Sequence, residues 1–226
     1  MGEIPNPKGP LLVAPLGLRP ALINMIDEQI QLGLSGKEAA IIIKCNGITD
    51  KGILDKLIEA SCSGVKIKLF VRGICCIRAG VKGHTENIVV KSIVGRYLEH
   101  SRIFVFGVGA EQKIFISSAD LMTRNTQRRI EVATPILDKR IRDTLIKMLD
   151  VMDRDNVKSR VMNSDASYSR VEKKPDEDAL DSQMYFFEMF ANEEIIDNKS
   201  IKTKKPSENK GGFIGFVSRW FKNLFK

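Results

Sequence analysis

The 226-residue chain lacks any run of about 18 apolar residues, the length that a membrane-spanning helix requires. We therefore expect no transmembrane segment. The N-terminal segment, residues 1–10, is rich in Gly and Pro and lacks the basic start and apolar stretch of a secretory signal. These absences predict a cytoplasmic protein, and the length allows one domain of about 100–200 residues with an extension.

Cysteine is also scarce, and its spacing is informative. The four cysteines are Cys45, Cys62, Cys75 and Cys76. None of them forms a CxxC pair, and two adjacent cysteines cannot easily serve one tetrahedral metal site. We interpret them as buried free thiols and predict no metal site in this chain.

Acidic residues are outnumbered, since 36 Lys and Arg face 28 Asp and Glu and the formal net charge is +8. A pI near 9.3 favours polyanionic partners such as polyphosphate, nucleic acid or an anionic membrane surface. Charge alone does not choose among these three classes.

Two apolar runs with a helical pattern between them predict a strand–helix–strand unit. Residues 39–45 and 65–71 have strand length, and between them Asp50 is suited to cap a helix that Gly64 ends. Further strands are predicted at 11–15, 88–93, 103–106, 113–116 and 129–134, with helices from Pro20 and over 138–152. The fold class is therefore α/β.

Lys44, Asn46 and Arg72 fall at the carboxyl ends of the two strands in this unit. Parallel strands bring their carboxyl ends to one edge of a sheet, so we expect the three side chains to lie near each other. Arg72 is followed by a glycine that permits close approach of a ligand. The paired N–H donors of the Arg72 guanidinium group are suited to phosphate oxygens. The alternative is an arginine paired to a surface carboxylate.

His100 is the strongest candidate for chemistry. Imidazole titrates near neutrality, so it can hold a proton for a leaving oxygen or attack a phosphorus. Arg102 follows two positions later, and a downstream segment offers further donors that could orient the ring or bind phosphate. These supporting candidates are Ser118, Asp120, Arg124, Asn125 and Arg129. A partly buried histidine with satisfied hydrogen bonds is the competing interpretation, and His84 is expected at the surface.

The last part of the chain differs in composition from the rest. Residues 161–210 are mainly polar and are expected to form an extension and flexible linker. Residues 211–226 resume a helical period with aromatic residues on one side and basic residues on the other. This basic amphipathic helix suits an anionic membrane surface, or equally the surface of a protein domain.

Several stretches, in one order along residues 11–160, carry a resemblance to a known family. They are Leu12-Val-Ala-Pro15 with Arg19, Ala60-Ser-Cys-Ser-Gly-Val65, Val71-Arg-Gly-Ile-Cys75, Glu86-Asn-Ile88, residues 92–102, and Ser117-Ser-Ala-Asp120 through Arg124-Asn125 to Arg129-Ile-Glu-Val132. Together they resemble the carboxyl-terminal domain of the polyphosphate kinase family. The resemblance implies a phospholipase D-like fold, a mixed β-sheet flanked by helices, followed by a flexible C-terminal extension.

By that resemblance, Arg72 and His100 match the family's nucleotide-phosphate ligands, and His100 matches its second essential histidine. The family transfers the terminal phosphoryl group of ATP reversibly to polyphosphate through a phosphohistidine, with Mg²⁺. The phosphorylated histidine, the magnesium-associated arginines and the adenine-stacking tyrosine belong to preceding domains, which we do not find in this chain. The resemblance thus implies ATP, ADP and polyphosphate as ligands, and the remaining kinase domains and a homo-oligomer as partners.

Phosphoryl transfer needs a nucleophile, charge neutralisation and leaving-group protonation around one phosphorus. Arg72 and His100 supply only part of this, so we predict that the isolated chain binds ATP or polyphosphate weakly without turnover.

Two other function classes remain open. A phospholipase D-like phosphodiesterase uses two His-x-Lys motifs, whereas this chain has a single such motif with Arg102 in place of the lysine. A non-catalytic module would instead bind polyanions or membrane through its basic groove and residues 211–226.

Overall fold

The structure, a computed structural model, describes residues 9–192. They form nine strands and five α-helices: β1 (Leu12–Ala14), α1 (Leu18–Leu34), β2 (Ala40–Cys45), α2 (Lys51–Cys62), β3 (Lys66–Val71), β4 (Ile88–Ile93), β5 (Ile103–Phe106), β6 (Lys113–Ser117), α3 (Thr123–Gln127), β7 (Glu131–Pro135), α4 (Lys139–Arg154), β8 (Ser159–Met162), β9 (Tyr168–Arg170) and α5 (Ser182–Asn192). The part of the expected extension and linker from residue 193 to 210 and the basic helix expected over 211–226 lie outside the described residues.

All nine strands belong to one sheet in the order β1-β7-β6-β5-β2-β3-β4-β8-β9. The pairs β2–β3 and β3–β4 are parallel, and the remaining pairs are antiparallel. Helices cover both faces, which confirms the predicted α/β class and the mixed sheet flanked by helices. No helix within residues 9–192 is both long and apolar enough to cross a membrane.

The central strand β2 is buried on both faces, which explains its continuous apolar run. Ile41 and Ile43 pack into the core beneath α1 and α2, whereas Ala40 and Ile42 pack into a second core beneath α4. Burying one such isoleucine side chain contributes about 1.5–3 kcal/mol, so the two cores hold the carboxyl end of β2 rigidly in the centre of the sheet.

Asp50 begins α2 as predicted, because its carboxylate accepts a hydrogen bond from the Ile53 amide at 3.2 Å. It also accepts bonds from Arg19 Nε at 3.0 Å and from Thr126 Oγ1 at 2.6 Å. Burial raises the pKa of this carboxyl, but the hydrogen bonds and the Arg19 charge outweigh burial and hold the pKa below its ordinary value. Asp50 therefore ties α1, α2 and α3 together as an anion.

Replacing Asp50 by alanine is expected to reduce the free energy of unfolding by about 2–3 kcal/mol, since a cap and charge-assisted hydrogen bonds are lost together. This contribution is present above the ordinary carboxyl pKa and disappears as pH falls through the lower folded-state pKa. Urea unfolding at pH 7 measures the loss. Asp55→Ala on the same helix is the control, because Asp55 is exposed and pairs with the exposed Lys51. Equal losses in the two variants would contradict the assignment.

The folded unit continues past residue 160, where the sequence suggested that the domain ends. Strand β8 pairs with β4 and β9 pairs with β8, so this hairpin forms the end of the sheet. Helix α5 follows and packs against α4. The two Asp155 carboxylate oxygens accept bonds from the amides that begin β8 and from the amide and hydroxyl of Ser182. The pattern of apolar residues in the sequence gives little indication of a segment that is held by polar contacts of this kind.

Candidate functional site

Four chain segments meet at one edge of the sheet, at the carboxyl ends of β2 and β3. Strand β5 runs antiparallel to β2 with Ile103 opposite Lys44, so the residues just before β5 reach this edge. Ile116 of β6 lies opposite Ile103, so the residues just after β6 reach it as well. The topology therefore brings residues 99–102 and 117–120 beside Asn46 and Arg72.

A continuous chain of hydrogen bonds joins these segments. Arg72 Nε donates to Asn46 Oδ1 at 2.6 Å, and Asn46 Nδ2 donates to Asp120 Oδ1 at 3.0 Å. Arg102 Nη2 donates to Asp120 Oδ2 at 2.9 Å, and Arg102 Nη1 donates to the His100 carbonyl at 2.7 Å. Arg72 and His100 are therefore held in one framework, and the bonds in it use neither the Nη ends of Arg72 nor the imidazole ring.

Asp120 is the acceptor at the centre of this framework. Burial raises the pKa of its carboxyl, but hydrogen bonds from Arg102 and from the backbone and side chain of Asn46 outweigh burial and lower the pKa. The carboxylate therefore stays charged at neutral pH and pairs with the guanidinium of Arg102. Because Arg102 neutralises Asp120, the charge of Arg72 remains available to an anion.

Lys44, predicted at the end of its strand, lies within β2 and is buried. Its Nζ is 3.2 Å from Glu99 Oε2 and donates to the Ser101 carbonyl at 3.3 Å. Burial lowers the pKa of Lys44, Glu99 opposes this effect, and the charge of Arg72 adds to the lowering. Lys44 therefore holds the Glu99 side chain before His100 and the Ser101 backbone after it, and it lies within electrostatic reach of Arg72.

The structure does not bring the other predicted donors into this framework. The Ser118 hydroxyl donates to Glu131, and Asn125 Nδ2 donates to the other Glu131 oxygen at 2.7 Å with its side chain buried. Arg124 and Arg129 are exposed, and neither makes an ion pair with any residue in the range 9–192. Ser118 and Asn125 thus form a structural cluster around Glu131 that the sequence did not distinguish from a phosphate site.

Two clefts open from the edge, one on each side of the framework. His100 lines a mainly apolar cleft of about 610 Å³ together with Tyr97 and the α5 side chains Phe187 and Phe190. Arg72 lines a second cleft of about 480 Å³. Between them lies a small cavity that shares Arg72 with the second cleft and Glu99 with the first. Arg72 and His100 therefore line different clefts, and the small cavity shares one lining residue with each of them.

The aromatic side of the His100 cleft was not predicted, because the residues of α5 were assigned to a polar extension. Gln183 fixes α5 to the segment before His100, since its side chain accepts from the Tyr97 amide at 2.9 Å and donates to the Tyr97 carbonyl at 2.8 Å. The ring of Tyr97 then stacks on Phe187 with centroids 6.2 Å apart. The run of aromatic residues around Phe187 was the sequence feature that could have indicated a packed helix here.

Within residues 9–192, no group of three or more His, Cys, Asp or Glu side chains is arranged to hold a metal ion. The acidic residue at the centre of the framework, Asp120, is already paired with Arg102. The residues at this edge therefore do not fit a resident Mg²⁺ site.

Comparison with known proteins identifies the family. Residues 11–183 match the family described as "Polyphosphate kinase C-terminal domain 2". The chain belongs to the polyphosphate kinase family. Polyphosphate kinase from Bacillus cereus is 45% identical over 179 residues, which cover 79% of this chain and 25% of that protein. Polyphosphate kinase from Staphylococcus epidermidis is 41% identical over 218 residues, which cover 96% of this chain and 29% of that protein.

The crystal structure of polyphosphate kinase from Porphyromonas gingivalis superimposes with a TM-score of 0.78 at 36% sequence identity. The superposition covers 84% of this chain and 29% of that one. These similarities confirm the family resemblance stated from the sequence. The chain spans about a quarter of the length of the curated relatives it matches.

Proposed function

We propose that this chain is the C-terminal catalytic portion of a polyphosphate kinase, where it binds the phosphates exchanged between ATP and polyphosphate. The phosphohistidine that carries the transferred group is supplied by a part of the kinase outside this chain. The partners are the remaining kinase domains, in a cytoplasmic homo-oligomer. The observation that carries the proposal is the hydrogen-bonded framework that joins Arg72 to His100.

In this proposal Arg72 is the phosphate clamp. Asn46 holds Nε, so the two Nη groups project together and can donate to two oxygens of one phosphate. Such charge-assisted contacts are each worth about 1.5–3 kcal/mol, and they orient the nucleotide as well as bind it.

His100 is the proton carrier in this proposal. Its carbonyl is held by Arg102 and the neighbouring Ser101 carbonyl by Lys44, so the backbone that carries the ring is fixed. The ring is exposed at the edge, where a leaving phosphate oxygen can take a proton from it or return one. The nucleophile still has to come from elsewhere, and for that reason the isolated chain binds ligand without turnover.

Mg²⁺ would neutralise phosphate charge when the nucleotide carries it, but the described residues do not hold it and take part in no step through it. The phosphodiesterase alternative is disfavoured by the position of Arg102. Its guanidinium is occupied by Asp120 and the His100 carbonyl, so it does not face a substrate as a second catalytic donor.

Replacing Arg72 by alanine is expected to weaken binding of ATP and of tripolyphosphate to the chain by about 10-fold to 100-fold, because a bidentate charged contact is lost. Arg72→Lys keeps the charge but not the fork, so it should recover only part of the affinity. Titration calorimetry at low salt measures both variants.

Arg124→Ala is the matched control, since it removes one exposed arginine outside the framework. Losses of equal size in Arg72→Ala and Arg124→Ala would leave only a general charge effect and would contradict the clamp. Appreciable ATP-dependent polyphosphate synthesis by the isolated chain would contradict the division of labour between this chain and the rest of the kinase.

A further inference from the structure

The Arg72 cleft extends away from His100 along the sheet edge. Its walls are Arg72, Gly73, Ser92, Val94, Lys158, Arg160 and Tyr168. Three of these side chains are cationic, two carry hydroxyls, and none is a carboxylate. A cavity of about 480 Å³ lined in this way is complementary to an anion rather than to an apolar ligand.

Lys158, just before β8, and Arg160 of β8 supply two of the three cations, and Arg160 stands directly opposite Arg170 of β9. Arg160 of β8 pairs with Ser92 of β4 on one side and with Arg170 of β9 on the other, so the three side chains share one face. Like charges placed opposite each other on neighbouring strands destabilise a sheet. An anion bound between them would remove that repulsion.

These cations are also uncompensated within the described part of the chain. No ion pair involving residues 9–192 includes Lys158, Arg160 or Arg170. Some exposed lysines are paired, as Lys51 is with Asp55 at 2.6 Å, whereas Arg124 and Arg129 also lack an ion pair within residues 9–192 but do not line this cleft. Three cations without an ion pair within residues 9–192, namely Arg72, Lys158 and Arg160, therefore line one cleft.

We propose that Lys158 and Arg160 form a second anion subsite that binds a stretch of a linear polyphosphate chain continuing from Arg72. The proposal rests on the function proposed above, which supplies polyphosphate as the ligand. Two strand spacings, about 10 Å, separate the end of β3 from β8. A single phosphate at Arg72 does not span this distance, whereas a chain of several phosphates does.

The chemistry of the walls favours polyphosphate over a nucleic acid. Single-stranded nucleic acids are bound by series of aromatic side chains on which successive bases stack. This cleft has one aromatic side chain, Tyr168, among cations and hydroxyls. The cleft therefore offers donors for phosphate oxygens but no series of rings on which successive bases could stack.

The test compares long-chain polyphosphate and tripolyphosphate binding to the full chain and to Lys158→Ala/Arg160→Ala. We expect long-chain affinity to fall 10-fold or more and the salt dependence of its logarithm to become shallower by about 2, since two phosphate contacts are lost. Tripolyphosphate affinity should change less than two-fold. Lys173→Ala/Lys174→Ala removes the same charge from exposed positions beyond β9 and should leave both affinities unchanged.

The other possible results distinguish failure of the second subsite from failure of the proposed function. Long-chain binding that survives in Lys158→Ala/Arg160→Ala, but is lost in Arg72→Ala, removes the second subsite and leaves the proposed function standing. Absence of binding of either polyphosphate to the parent chain removes the proposed function itself. An equal loss for single-stranded RNA of matched charge would make the cleft a general polyanion groove and overturn the assignment to polyphosphate.

Discussion

Replacing His100 by alanine is expected to lower ATP-dependent polyphosphate synthesis by about 10²-fold to 10⁴-fold, the usual contribution of a positioned general acid or base. The measurement needs the rest of a kinase. A suitable enzyme is an active chimera in which residues 11–183 of this chain replace the matched region of the Bacillus cereus relative. The loss should fall on kcat, because the proton is needed at the leaving oxygen rather than for binding.

His84→Ala is the matched control for this variant, since it removes the other histidine of the chain from an exposed loop. Its rate should stay within about two-fold of the parent chimera. A His100→Ala chimera that keeps more than a tenth of the parent kcat would contradict the role of His100. A loss confined to KM would instead make His100 a binding residue.

The strand–helix–strand unit could be predicted from the sequence because its determinants are local. The apolar run of β2, the cap at Asp50 and the turn at Gly64 each act within a few residues of the chain. The parallel pairing of β2 and β3 then brought Asn46 and Arg72 to one edge, as expected. Placement of residues at the edge thus follows from periodicity and connection rules alone.

The roles of the polar side chains at that edge could not be predicted in the same way. Lys44, Arg102 and Asn125 all have the chemistry of phosphate ligands, yet they bind Glu99, Asp120 and Glu131. Each of these partners lies 6 to 55 positions away in the sequence. A sequence states which groups can donate, whereas tertiary pairing decides which donors remain available to a ligand.

The sequence contains a turn signal for the β8–β9 hairpin, but the polar composition of this region led to its assignment as an extension. Residues 163–167 read Asn-Ser-Asp-Ala-Ser, a polar turn between two short strands, and Ala166 adopts a positive φ of 71° there. Met162 is the one apolar side chain of this hairpin that lies in the core, and the other buried residue, Ser159, is polar, so hydrophobic alternation is weak. Hairpins at sheet edges are stabilised largely by backbone pairing, which any polar sequence can make.

Asp153→Ala is expected to reduce the free energy of unfolding by about 3–5 kcal/mol, the usual cost of removing one partner from a buried ion pair. Asp153 Oδ2 lies 2.7 Å from Lys68 Nζ and Oδ1 lies 2.9 Å from Lys91 Nζ, with all three side chains largely buried. Burial lowers the pKa of Lys68 to about 8, and Asp153 opposes that lowering. Without Asp153, two buried ammonium groups lose their shared carboxylate.

The pH dependence separates this electrostatic cause from simple loss of packing. A lysine whose pKa is lowered by folding binds fewer protons in the folded than in the unfolded state between the two pKa values, so stability rises with pH in that interval. For Lys68 the interval runs from about 8 to its ordinary value of 10.5. In Asp153→Ala the folded-state pKa of Lys68 falls further, because the opposing carboxylate is gone. The free energy of unfolding of the variant therefore begins to rise with pH at a lower pH than that of the parent.

Asp143→Ala is the control on the same helix, since its carboxylate pairs with the exposed Lys139 and its removal should cost less than about 0.5 kcal/mol. Lys68→Met added to Asp153→Ala should restore part of the stability, because it removes one of the two buried ammonium groups that faced Asp153. Urea unfolding from pH 6 to 9 measures all variants. A loss below about 1 kcal/mol in Asp153→Ala, or one that is independent of pH, would show that water reaches these lysines and that α4 is held to the sheet by apolar contacts alone.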